Sequence, residues 1–242
     1  MKGKLFILIS AILAIGAGFW LIGAVRNFNL EMEEYGAVKI ERPVSQLKTI
    51  LLDVPFASQA PFGQWEDIIF QNACEEATIL MAMNWIEGKI ISKEQAVEEI
   101  RKITDFEDEN YGPAKYDLSI QDTAQLIIDY WGYKNVSVSD NISAIDIIRE
   151  LRRKNLVIVA VNGQKLGNPF YTQPGPLEHM LLIKGYDFKT NEFITNDTGT
   201  RHGENFRYKK DVLENAVRDY PTGYKEPIRE IKKTMIIISQ EK

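Results

Sequence analysis

The chain has 242 residues, 45% apolar and 26% charged, the balance of a folded domain with one sizeable core rather than of a disordered or fibrous chain. Its formal charge is −5, from 29 basic and 34 acidic side chains without a long Lys/Arg run, which argues against a nucleic-acid partner. One cysteine excludes an intramolecular disulfide and a multi-cysteine metal centre, and two histidines exclude a His-rich metal cluster.

Leu5–Val25 is a run of 21 uncharged residues closed by Arg26. As a helix rising about 1.5 Å per residue it spans roughly 30 Å, the hydrocarbon thickness of a bilayer. It exceeds the roughly 7–15 apolar residues of a signal-peptide core, and Trp20 stands near the far end, where interfacial aromatics collect. Residues 1–26 therefore read as a single transmembrane anchor, with a signal peptide cleaved after Ala24 as the alternative. Lys2 and Lys4 predict a cytoplasmic tip and an extracytoplasmic main domain, which cleavage would release as a secreted protein. Residues 27–48 mix charges with Pro43 and read as a stalk; residues 49–242 form the folded domain.

Thr49–Val54 reads as a short strand ended by Pro55. Asn72–Trp85 places Ala73, Ala77, Leu80, Met81 and Trp85 at the spacing of a largely buried helix that stops before Gly88. Ser92 and Gln95 form a capping box opening a helix to about Ile103; Ser119 opens another, stopped by Gly132, and Ser143 a third, to about Arg153. Leu156–Val161, His179–Tyr186 and Glu192–Asn196 read as strands, the last two joined by a polar hairpin connection. Val212–Arg218 reads as a helix and Thr234–Ser239 as a final strand. Helices first and strands later predict an α+β domain, a helical half packed on an antiparallel sheet. Asn162–Glu178 is one long Gly/Pro-rich loop, of the length that often carries function.

Cys74 stands at the start of the Asn72–Trp85 helix, where unpaired N–H groups and the helix dipole favour a thiolate. A small buried hydrophobe is the bland alternative, and Glu75 and Glu76 oppose ionisation, so a reactive thiol needs a cationic partner. His179 meets that need at a loop-to-strand junction. Asp197 ends the next strand, and in a hairpin its carboxylate lies beside His179 and can orient the ring; alternatively Asn196 and Asp197 cap a turn. A helix-start thiol, then a strand-start histidine, then a strand-end acid is the chain order of papain-type sites. His202 reads as a solvated loop residue, and no ligand spacing supports a metal. Trp65, Trp85 and Trp131 read as core and cleft wall, and Asn162–Pro169 as a groove lining or a long turn.

Asp53-Val-Pro-Phe-Ala-Ser-Gln59, Ala73-Cys74 leading into a helix, Glu178-His-Met-Leu-Leu-Ile-Lys-Gly-Tyr-Asp187 and Asn196-Asp197 resemble the C39-like cysteine peptidases over roughly residues 50–220. The resemblance implies a papain-like fold with Cys74 as nucleophile, His179 as general base and acid, Asp197 as orienting residue and Gln59 as side-chain donor to the oxyanion. Two features depart from the family pattern. Cys-Glu-Glu stands where Cys-Gly-Pro is common, and an apparent insertion at Pro61–Ile69 leaves Gln64, Gln71 and Asn72 as competing donors. The expectation is a membrane-tethered cysteine peptidase that acts on peptide or protein substrates and needs no cofactor. A catalytically inactive peptide-binding module and an amidase or acyltransferase acting on cell-wall peptides are the alternatives.

Overall fold

The computed structural model describes residues 48–112, 117–223 and 230–240. The expected anchor over residues 1–26, and the stalk up to residue 47, lie outside the described residues. Among the described residues no helix is long and apolar enough to cross a membrane.

A short strand β1 (Ile50–Leu51) leads through a loop and one helical turn, α1 (Ile68–Gln71), into α2 (Cys74–Glu87). Eleven of the fourteen residues of α2 are buried, and Gly88 ends it in the left-handed conformation, φ 64°, which glycine adopts without a Cβ clash. Helix α3 (Lys93–Tyr111) starts at the Ser92–Gln95 capping box and runs past Ile103, because Thr104 and Glu107 continue the face buried by Ala96, Ile100 and Ile103. Helix α4 (Ile120–Trp131) begins at Ser119 and ends at Gly132. An unexpected strand β2 (Val136–Asp140) then precedes α5 (Ala144–Arg152) and the fully buried β3 (Leu156–Val161). The long loop holds one helical turn, α6 (Gly163–Leu166), before β4 (His179–Asp187) and β5 (Glu192–Asp197) form the expected hairpin. A second unexpected strand, β6 (Phe206–Lys209), is followed by α7 (Lys210–Ala216) and β7 (Thr234–Ile238).

All pairings are antiparallel, in the order β2-β7-β3-β4-β5-β6, and β1 pairs with β4. Both strands missed in the sequence are the terminal ones of this order and only part-buried, so they lack the continuous apolar run that marks β3 and β4. Helices α2, α3 and α4 pack on one face, where Ile79, Ile100 and Leu126 meet Ile158, Met180, Leu182 and Ile236. The α+β architecture with an antiparallel sheet is as expected. Helices α5 and α7 cover the other face, where Ile147, Leu151 and Leu213 meet Val157, Val159, Leu181 and Ile183. Burial on both faces is why β3 reads as six consecutive apolar residues. Gly185 sits at the register shift of β4, where a Cβ would come within 2.4 Å of the Ile50 carbonyl oxygen; β1 lies that close only because glycine is there.

Candidate active site

Three segments converge on one cleft of about 980 Å³: the loop and helix start around Gln59 and Cys74, the loop before His179, and the turn after β5. Cys74 is the first residue of α2, so its N–H belongs to the first-turn donors that have no intrahelical acceptor. Gln59 fixes this approach. Its backbone N–H donates to Thr198 O at 3.0 Å, and its Oε1 accepts from Thr198 Oγ1 at 3.3 Å. Its Nε2 donates to Phe70 O at 3.1 Å and Gln71 O at 3.0 Å, pinning the carbonyls of the turn that delivers Cys74. Gln71 Nε2 donates to Trp65 O, Gln64 Oε1 accepts from the Phe62 N–H, and Asn72 Nδ2 donates to Ile68 O. Of these four residues, Gln59 and Gln71 line the cleft with Cys74 and His179; Gln64 and Asn72 do not.

His179 opens β4 and is buried, with Nε2 at 2.9 Å from Asp197 Oδ1. The register explains the contact: Asp197 pairs with Leu181, which puts His179 on the same face and diagonal to it. Asp197 is wholly buried and surrounded by donors. Oδ1 also accepts from the Gly199 N–H at 3.1 Å, and Oδ2 accepts from Tyr208 OH at 2.5 Å, Tyr171 OH at 2.6 Å and Asn168 Nδ2 at 3.1 Å. Burial alone would raise its pKa, but the His179 charge and the hydrogen bonds from His179, Tyr171 and Tyr208 outweigh it and hold the carboxylate at about 2. A Cβ at Gly199 would lie 3.0 Å from His179 Cε1 and from Tyr171 Cε1, so the imidazole occupies space that only glycine leaves open.

With Nε2 on Asp197, Nδ1 is the nitrogen left to face a thiol, and it has no hydrogen-bond partner among the described residues. Among the described residues His179 pairs with Asp197, and the Cys74 thiol makes its hydrogen bond elsewhere. Cys74 Sγ donates to Glu75 Oε2 at 3.0 Å, and Tyr220 OH donates to Glu75 Oε1 at 2.6 Å. Burial pushes the thiol pKa well up, and the negative charges of Glu75, Asp117 and Glu76 push it further, so the resting group is a neutral thiol. Burial likewise raises Glu75, with Asp117 and Glu76 adding to the shift and Tyr220 opposing it. Glu76 and Glu107 are buried behind them; burial and its acidic neighbour Glu75 push Glu107 to about 8.

The Cys74, Glu75 and Asp117 ligand atoms lie within 4.8 Å of one another, the one such group among the described residues. It lacks an imidazole or a second thiol, and an acidic cluster alone does not define a metal centre. His202 is exposed, as expected, with its Nε2 accepting from Arg201 Nε at 3.1 Å and its ring 4.4 Å from that of Phe170. Asn168 lies in the Asn162–Pro169 stretch read as a groove lining or a turn, but its bond to Asp197 was not anticipated, nor were Tyr171, Tyr208 and Tyr220. Only the length of the loop carrying Asn168 and Tyr171 pointed toward function; nothing local to Tyr208 or Tyr220 marks either.

The chain matches the family model described as Peptidase_C39 like family over residues 51–225. Its fold is also similar to the crystal structure of a candidate C39-like peptidase from Bacillus anthracis. The TM-score is 0.51 at 14% sequence identity, with 81% of this chain and 100% of that chain covered, a likeness of fold alone. No curated protein matches the chain. The family match takes in Gln59, the Cys74 helix, the loop before His179 and the turn after β5, the segments that build the cleft. This chain belongs to the Peptidase_C39 like family.

Proposed function

We propose that the domain is a cysteine peptidase that hydrolyses peptide bonds through a thioester on Cys74. The observation that carries this reading is the shared cleft: a thiol at a helix start and an imidazole held at 2.9 Å by a buried carboxylate line the same cavity. The thiol turns from Glu75 Oε2 and gives its proton to His179 Nδ1 as sulfur attacks the substrate carbonyl, forming the C–S bond and moving the carbonyl electron pair onto oxygen. The oxyanion rests on the Cys74 N–H and on the Gln59 amide, which exchanges one of its two carbonyl partners for it. His179 protonates the leaving amine as the C–N bond breaks. It then takes a proton from water, which attacks the thioester and releases the acid and the thiol. Asp197 keeps the ring oriented and balances the positive charge formed on it.

The neutral thiol held by Glu75 supports a second reading, a peptide-binding module of the same fold without turnover. Peptide hydrolysis by the purified domain, lost in Cys74→Ala and in His179→Ala, supports the peptidase. Peptide binding without hydrolysis, together with iodoacetamide labelling no faster than that of a free thiol, supports the module. Product transfer to added amines in preference to water would mark an acyltransferase on the same site. Leu5–Val25 supports tethering to the membrane with the domain on its outer side. Extraction of the full chain by alkaline carbonate, or cleavage after Ala24 in the mature protein, would overturn the tether.

A further inference from the structure

Phe62, Trp65 and Phe170 are the only phenylalanine, tyrosine or tryptophan side chains left exposed among the described residues, at 59%, 39% and 50%, and all three line the Cys74–His179 cleft. Exposed aromatics scattered singly need no explanation, but their confinement to one concave site does. They come from the two chain segments that supply the reacting groups. Phe62 and Trp65 lie on the turn between Gln59 and Cys74, and Phe170 lies on the loop before His179.

Both segments are braced by groups already in the site. Gly63 N–H donates to Ala60 O, Phe62 N–H to Gln64 Oε1 and Gln71 Nε2 to Trp65 O, which fixes the turn against the segment entering α2. On the other side, Asn168 Oδ1 accepts from the Phe170 N–H at 3.0 Å while its Nδ2 donates to Asp197 Oδ2. One side chain thus holds an aromatic wall and the orienting carboxylate together. The charged residues of the lining, Lys93 and Arg201 against Asp117 and Glu178, balance in sign, so the wall of the cleft presents no single-signed patch to grip a charged side chain.

We infer that the substrates are peptides with bulky apolar side chains on either side of the scissile bond, one seated on Phe62 and Trp65 and the other on Phe170. This rests on the peptidase reading for cleavage but not for binding, and the two are tested separately. In the full chain, kcat/KM is compared for quenched peptides carrying Leu or Phe against Ser at the flanking positions. An apolar pocket contact discriminates by about 10–200-fold, so a preference of that order is expected. In Phe62→Ala and Phe170→Ala the preference should fall toward unity, each at one flank only. Equal rates for both peptides, or an unchanged ratio in both variants, overturns the inference. Binding of the same labelled peptides to Cys74→Ala by fluorescence anisotropy needs no turnover. Selective binding of the apolar peptide without hydrolysis by the parent chain would sink the peptidase and keep the ligand class. Binding of soluble glycan fragments in place of either peptide would overturn the ligand class.

Discussion

Replacing Asp197 by Asn tests the electrostatic design most directly. The carboxylate accepts five hydrogen bonds, two on Oδ1 and three on Oδ2, and it can do so because both oxygens are acceptors. An amide offers one acceptor oxygen and one NH₂ donor. If NH₂ takes the Oδ1 position, it faces His179 Nε2, which must then present a lone pair, and the ring proton moves to Nδ1. That tautomer cannot accept the thiol proton. If NH₂ takes the Oδ2 position, it confronts three donors in a fully buried site. The first outcome, in which the analogous change costs a serine triad on the order of 10⁴-fold, corresponds to about 5 kcal/mol of barrier. The second leaves buried donors unsatisfied at about 1–3 kcal/mol each, and appears as lost stability. Peptide kcat/KM and urea unfolding on the same samples separate the two. Activity within tenfold of the parent, at unchanged stability, would show that Asp197 does not orient His179.

The same carboxylate gives a pH signature. Its pKa is depressed to about 2 from 3.8, so it contributes about 2 kcal/mol of stability that is present above pH 4 and lost as pH falls through 2, and Asp197→Asn should lack that acid dependence. Glu107 has the opposite sign. With its pKa raised from 4.5 to about 8, folding favours the protonated form, so stability falls as pH rises from about 5 to 8; Glu107→Gln should flatten that fall in thermal melts. Glu75→Gln keeps a side chain that can meet both Tyr220 and the thiol but removes the charge, so the pH profile of iodoacetamide labelling of Cys74 should move to lower pH; an unmoved profile refutes Glu75 as a suppressor. Gly199→Ala places a methyl 3.0 Å from His179 and should cost about 1–3 kcal/mol of stability together with at least a tenfold loss of kcat/KM, and a loss of neither would show that the ring can move aside.

Much of the scaffold is written locally. The capping box at Ser92, the stops at Gly88 and Gly132 and the apolar runs of β3 and β4 are short-range signals, because backbone capping, left-handed φ and two-sided burial act within a few residues. Strands β2 and β6 escaped because an edge strand is only half-buried and takes its hydrogen bonds from a partner, which for β2 lies about a hundred residues away, rather than from a continuous apolar run of its own. Cys74, His179 and Asp197 could be singled out from chain order and from their places at element ends. Their environment could not. Tyr208 and Asn168 reach Asp197 only through the β5–β6 pairing and the fold of the long loop, and Tyr220 reaches Glu75 across 145 residues. Charge state is set by what surrounds a group in three dimensions. The sequence alone therefore determined which side chains stand at the element ends, and the tertiary structure alone decided that the thiol rests neutral on Glu75 while Asp197 stays ionised.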